Sequence, residues 1–424
     1  MALTYRPALD GLRGVAALLV IGSHAFVLGH RVIGFGWVGV QLFFVLSGFL
    51  ITEILVAEKD LPLSLYLRRF YGRRALRIFP VYFGFLILLA AFTPNGAVMD
   101  RLMRDWPYLV TFTANFGRLQ RAGDLGEAYR HLWTLGIEEQ FYLVWPLVVY
   151  GLSRGSLRRA VVGTIIFAPV ARALIERWNE RLVGFPFTSE TSNLVLPFAQ
   201  VDSFATGAAL VLFDTTRIAS PPRLLGMSLA AFGALAAAHF GIDHGWSRPG
   251  AVADFAQTLG FAHLEVGRTE HTIWALGALN LVFGAMLLVA LRGAGPLGGA
   301  LAGPRVVAIG RVSYGTYVFH VPILLVVGAL SAAPSFVHVP ALARDMSAIA
   351  LSLLLTALAA VASYRFYERP ILRQKERLFP VPAATHRPPP PTREDPLLGT
   401  AQFFALVLAP SLVVATIVAA WTGR

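Results

Sequence analysis

A histidine inside a long apolar run is a candidate general base, because imidazole titrates near neutral pH and polar groups at bilayer depth are held there for a reason. His24 lies in such a run, eleven residues after Arg13. On a helix, those eleven residues at about 100° each bring the two side chains within about 20° of one another and about 16 Å apart along the axis. They share a face, and Asp10, three residues before Arg13, lies close to it. The plainer alternative is a histidine satisfied by a neighbouring helix and an arginine that anchors the span. A second group sits in residues 131–142, HLWTLGIEEQFY, where Glu138 and Glu139 project about 100° apart, so only one readily faces a given cleft. A buried carboxyl beside an imidazole would orient it and compensate its charge, although a structural ion pair between helices would use the same residues. Ser313, Tyr317 and His320 follow at spacings of four and three, with Tyr314 beside them, which suits either a reactive cavity or a polar helix seam. In residues 69–77, RFYGRRALR, a helix would align Arg69, Arg73 and Arg77 and set Arg74 one turn from Arg77. Guanidinium clusters suit a polyphosphate, but they also suit anionic lipid. Asp202 is a lone acid in another apolar run, open to pairing or to function.

The elements that carry these residues are membrane helices. Of 424 residues, 56% are hydrophobic and 14% charged, and the mean hydropathy is +0.63. A soluble domain carries about 25% charged residues, so that class is excluded. Eleven runs approach the length of about 20 residues that spans a bilayer: 12–29, 36–56, 79–93, 132–150, 159–175, 197–213, 224–241, 272–291, 312–331, 346–366 and 399–421. The 36 Lys and Arg exceed 24 Asp and Glu, a net charge of +12, and the excess reads as topogenic base and lipid attraction rather than a nucleic-acid partner. Six basic residues fall in 57–78 and three in 151–159, against one in 30–35 and two in 176–196. The alternation puts the N-terminus inside and the C-terminus outside, with five Arg in 94–131 against the trend. No A-x-A cleavage site follows the first run, which is therefore retained. The expected divisions are a membrane body at 1–375, a Pro-rich cytosolic linker at 376–398 and an extra C-terminal helix at 399–424.

Several chemistries drop out. The chain has no cysteine, so thiolate relays, disulfides and Cys-based zinc sites are excluded. There is no HExxH, GxSxG or Walker A sequence, and no metal is expected. The GxGxxG match at 34–39 follows no strand. Ser47, in FFVLSGFLI, lacks a nucleophile-elbow context.

The conjunction of blocks resembles acyltransferase family 3, polytopic membrane enzymes that acylate extracytoplasmic carbohydrates. The blocks are RPALDGLRG at 6–14 followed by His24, FFVLSGFLI at 43–51, Arg74 with Arg77, 133–142, SYGTYVFH at 313–320 and YERP at 367–370, in family order over roughly 1–375. The resemblance implies an all-α body of ten helices with one more at the C-terminus. It implies essential roles for Arg13 and His24, Arg74 and Arg77 as a basic pair at a cytosolic acyl-CoA mouth, Glu138 as the acid of the family's WSLxxE pattern with Glu139 adjacent, and His320 in the cavity. Thr134 replaces the usual serine, and Gln200 stands where many members have an arginine.

The activity so implied is transfer of an acyl group, acetyl first among the candidates, from cytosolic acyl-CoA to a hydroxyl of an extracytoplasmic carbohydrate or glycoside. The setting would be the inner (plasma) membrane, with acyl-CoA as a substrate rather than a bound cofactor. His24, oriented by Glu138 or another neighbour, would act as base in direct transfer or carry the acyl group itself. Any second acceptor-handling domain would be a separate extracytoplasmic protein. The rival from another class is a glycan or acyl-lipid permease that uses the same polar residues to line a path.

Overall fold

The apolar runs fold as helices, and in the described part of the chain the backbone pairs as a β-bridge only between Asp214 and Leu397. The fold comes from a computed structural model, which describes residues 5–25, 36–93, 95–120, 125–181, 194–247, 250–252, 255, 269–336, 338–380 and 396–422. In chain order the helices are α1 (Pro7–His24), α2 (Val38–Ala57), α3 (Leu63–Phe92), α4 (Ala97–Val110), α5 (Ala114–Gln120), a 3₁₀ turn (Glu127–Leu132), α6 (Trp133–Gly151), α7 (Arg154–Arg181) and α8 (Val201–Leu212). Then come α9 (Pro221–His244), α10 (Thr269–Arg292), α11 (Gly295–Leu301), α12 (Pro304–Arg311), α13 (Ser313–Ser331) and α14 (Ala341–Ala362). A π-helical turn (Ser363–Glu368) leads into α15 (Arg369–Arg373) and α16 (Lys375–Leu378), and α17 (Thr400–Val407) and α18 (Ala409–Thr422) close the chain.

Each of the eleven expected spans falls mainly on helix where it is described, and seven stretches among the described residues are long and apolar enough to cross a membrane by length and composition. The other four lie on α1, α6, α7 and α8, which carry charge or, at 12 residues, are short. Two expectations change in detail. The basic segment before the third span is not a loop: α3 runs unbroken for 30 residues and carries Arg69, Arg73, Arg74 and Arg77 on helix. Residues 94–131, where arginines broke the charge alternation, include the amphipathic helix α4, which turns Leu102, Asp105 and Leu109 inward. Its basic residues therefore ride on a surface helix rather than in a short topogenic loop.

Contacts between loops sort them as the charge alternation did. Lys59 meets the Leu152 carbonyl, Arg73 donates to Phe379 O at 3.0 Å, Leu398 N donates to Asp214 O at 2.7 Å, and Arg311 donates to Tyr5 Oη at 3.1 Å. Every one of these joins segments expected on the same, base-rich side. Asn115 donates to Val195 O at 3.1 Å across the other side.

The core is organised around α10, which is buried over nearly all its apolar length. The C-terminal α17 and α18 pack into this same body: Phe403, Val407 and Ala415 are buried in one cluster with Trp274 and Leu281 of α10. The linker expected before them lies mostly outside the described residues. Outward faces keep large apolar residues, such as Leu143 and Leu147 on α6 and Leu354 and Leu358 on α14, as a lipid-facing surface requires.

Without a hydrophobic drive between helices in lipid, close packing of small residues takes over. At the α2–α8 crossing a side chain at Gly48 would meet the Phe204 carbonyl, and one at Gly207 the Val45 carbonyl. Asp202 resolves as a structural residue, because the fully buried Arg172 of α7 pairs with it and donates Nε to Ala199 O at 2.8 Å. Gln200 accepts from Gln41 Nε2 at 2.6 Å and so ties the α8 end to α2.

Gly48→Leu should destabilise by at least the overpacking cost of about 1–3 kcal/mol, read as a lower melting temperature in detergent. Gly163→Ala, where a Cβ meets open space, should leave it unchanged. Asp202→Ala strands a buried guanidinium, a loss of about 3–5 kcal/mol. Replacing both partners by apolar residues should restore much of it, and a stable Asp202→Ala protein would contradict the pairing.

Candidate active site

Arg13 of α1 and Arg74 and Arg77 of α3 line one cavity with Glu138 of α6 and Ser313 and Tyr317 of α13. Its unfilled space, open mouth included, is about 770 Å³. The helical register explains the convergence: α3 turns Arg74 and Arg77 to one side, and Arg13 comes from the first half of α1. No carboxylate among the described residues makes an ion pair with any of the three, and Arg13 Nε is buried without a hydrogen-bond partner. Arg74 lies 4.5 Å from the Tyr142 ring centroid in a cation–π contact. Such an array is electrostatically incomplete, and an anionic ligand would complete it.

Glu138 faces this cavity and accepts a hydrogen bond from Ser47 Oγ at 2.6 Å, while Tyr142 Oη donates to Ser47 Oγ at 3.1 Å. Ser47 thus has a partner the sequence did not suggest. Glu139 points elsewhere, with Oε1 buried and unbonded. Asp10 accepts from Tyr5 Oη at 2.8 Å near the chain start. One acid escaped the residue-level reading: Glu368, on the π-helical turn, accepts from Ser363 Oγ at 2.9 Å and lies within Coulomb reach of Arg77 and Arg13. An acid inside the basic 365–373 stretch was the available signal.

His24 lines a second, smaller cavity with Glu127, Arg130 and His131, with about 280 Å³ of unfilled space when its open side is included. The expected Glu138–His24 contact is not formed. Glu138 is engaged by Ser47, and His24 Nδ1 lies 3.0 Å from Val20 O and 3.1 Å from His320 Nε2. Carbonyl oxygens only accept, which assigns the protons. His320 Nδ1–H donates to Tyr317 O at 2.6 Å, so His320 Nε2 is an acceptor. His24 Nδ1–H is then shared between Val20 O and His320 Nε2, which leaves the lone pair of His24 on Nε2. The third imidazole, His131, donates Nε2–H to Val318 O at 3.1 Å, and its ring centroid is 5.0 Å from that of His320. His131, Thr134 and Glu138 follow at spacings of three and four, a pattern that could have drawn His131 into the candidate set. No metal-binding cluster forms among the described residues.

Tyr317 stands between the two cavities. Its hydroxyl donates to His131 O at 2.7 Å and contacts the Thr134 hydroxyl, and its ring packs edge-on to Phe43. The stripe on α13 therefore bridges two spaces: Ser313 and Tyr317 reach the arginine-lined cavity, and His320 reaches His24.

A family model described as an acyltransferase domain matches residues 6–367. O-acetyltransferase OatA of Staphylococcus aureus is 27% identical over 395 residues, covering 88% of this chain and 58% of its own. Putative peptidoglycan O-acetyltransferase YrhL of Bacillus subtilis is 26% identical over 409 residues, covering 90% of this chain and 57% of its own. Peptidoglycan O-acetyltransferase OatA of Listeria monocytogenes is 33% identical over 157 residues, which is 34% of this chain and 24% of that one. The chain thus spans less than two thirds of the length of these relatives. No solved structure matches it. Because the family match takes in both cavities, from Arg13 through His24 and Glu138 to His320, this multi-pass helical protein belongs to the acyltransferase family that its sequence blocks resembled.

Proposed function

We propose that the protein is an O-acetyltransferase that moves an acetyl group from cytosolic acetyl-CoA to a hydroxyl of a glycan outside the plasma membrane. The observation that carries this reading is the set of three arginines, none of them in an ion pair among the described residues, in one cavity whose Tyr317 also bonds His131 in the wall of the cavity around His24, where the Nε2 lone pair is open. In the orientation favoured by basic charge, the N-terminus is inside and the arginine cavity opens to the cytosol. Arg13, Arg74 and Arg77 would hold the CoA phosphates by charge-assisted hydrogen bonds. The pantetheine arm would run along Phe43 and Tyr317, and the Tyr317 ring would give way for the thioester to reach His24. The names of the relatives make peptidoglycan the first acceptor to test.

In the direct route, His24 Nε2 takes the acceptor proton as the hydroxyl oxygen attacks the thioester carbonyl. The C–S bond breaks, and the thiolate recovers the proton from the imidazolium. His320 Nε2, accepting from His24 Nδ1–H, holds the tautomer and stabilises the imidazolium, the role of the orienting third group in a triad. Glu138, bound to Ser47, would set the charge of the donor cavity. An acyl-His24 relay would use the same lone pair.

In purified protein given acetyl-CoA and peptidoglycan fragments, His24→Ala should cut free-thiol release and acetylated product about 10²–10⁴-fold. Substantial turnover by this variant would sink the assignment. His320→Gln should lower kcat while the KM for acetyl-CoA holds. Arg74→Ala and Arg77→Ala should each raise the KM for acetyl-CoA about 10–100-fold, the weight of a charged hydrogen bond. Unchanged donor KM in both would leave these arginines a topogenic role alone.

A further inference from the structure

The space around His24 has its own cations, and the reaction as described leaves them without work. Arg118 of α5 and Arg130 of the 3₁₀ turn both lie within Coulomb reach of the His24 ring. Among the described residues one carboxylate stands against these two guanidiniums, Glu127, which binds Arg130 at 3.1 Å. Arg118 forms no ion pair or hydrogen bond among the described residues, and its Nε is buried without a partner. Its Cζ lies 5.5 Å from the Trp133 ring centroid, which fixes the guanidinium plane. The neighbouring groups are the neutral-capable imidazoles His24, His131 and His320 and the apolar Val321 and Leu324. Burial and the charge of Arg130 lower the Arg118 pKa to about 10, so it is charged at neutral pH.

Neutral sugars are bound by paired donors and acceptors. Here the pocket wall carries Arg130, and beside it stands the Arg118 guanidinium, held against an indole with Nε buried and unbonded; among the described residues no acid other than Glu127 offsets the two. We infer that the acceptor is an anionic glycan, whose carboxylate or phosphate is bound by Arg118 and Arg130 while a nearby hydroxyl meets His24 Nε2. This rests on the O-acetyltransferase reading and names the class of its acceptor. The anion would complete the second cavity as the CoA phosphates complete the first, and it would lie near the imidazolium formed during transfer. A sugar carboxylate and a phosphate on the glycan or its carrier present the same chemistry to a guanidinium.

The test uses full-length protein in nanodiscs and three probes: a uronic acid tetrasaccharide, a neutral tetrasaccharide of the same linkage, and that neutral tetrasaccharide with a terminal phosphomonoester. Calorimetry without donor should give at least tenfold tighter binding for one or both acidic probes, weakening with salt, and the better of the two identifies the anion. Arg118→Gln and Arg130→Gln should each reduce the acid-to-neutral ratio at least fivefold, and Arg118→Lys should retain part of it. Equal binding of neutral and acidic probes overturns the inference, as does a preference that survives in both Gln variants. If Arg118→Gln lowers kcat for all acceptors and keeps the preference, the guanidinium serves the transition state instead and the inference also falls. Acidic preference without any thiol release in the presence of acetyl-CoA would support the anion site and refute the transferase reading.

Discussion

A guanidinium inside a membrane protein must be paired, solvated or matched by a ligand, because transfer of an unpaired charge to a low-dielectric interior costs several kcal/mol. This chain meets that demand in two ways. Arg172 is paired outright with Asp202, and Arg69 with Glu58 at 2.7 Å, and both are fully buried. Arg13, Arg74 and Arg77 instead converge on an open cavity with no ion pair among the described residues; Glu138, Glu368 and Asp10 offset part of their charge from a distance, and an anion that enters would offset the rest. The contrast between satisfied and unsatisfied arginines, within one fold, separates scaffold from site.

The scaffold holds that site by close backbone approach. Gly48 and Gly207 bring α2 against α8, and Gly310 lets α12 touch the Asp10 carbonyl of α1, so Arg13 and Ser47 are presented from rigid neighbours. The hydrogen-bond chain then runs from the Tyr317 backbone carbonyl on α13 to His320 and on to His24, while the Tyr317 side chain faces the arginine-lined cavity. On the proposed reading, a donor held by phosphates in one space and an acceptor held beside His24 in the other would meet near Tyr317.

Much of this could be read from residue types and spacing. The helical class, the convergence of Arg74 with Arg77 and the stripe Ser313–Tyr317–His320 follow from period and hydropathy alone, whereas Arg13 and His24, one helix face in expectation, line different cavities. What escaped depended on long-range contact. Glu138 was paired in expectation with His24, but on α6 it sits deeper than Thr134 and meets Ser47, while the imidazole partner comes from α13, 296 residues from His24. The helix across 63–78 escaped because charge-rich sequence reads as loop when hydropathy sets the boundaries. The docking of α18 escaped because a Pro-rich stretch suggests separation, whereas Gly277 accepts Ser411 and Gly284 accepts Phe403 in close contact.

The central claim is that one ligand spans both elements, with phosphates on the arginines and the acyl carbon at His24. A structure of the full chain in a lipid nanodisc with a non-hydrolysable acetyl-CoA analogue tests this most directly. The account predicts phosphates among Arg13, Arg74 and Arg77, the Tyr317 ring displaced, and the acyl carbon within reach of His24 Nε2. An analogue bound elsewhere, or one whose acyl end points away from His24 with the arginines empty, would contradict it.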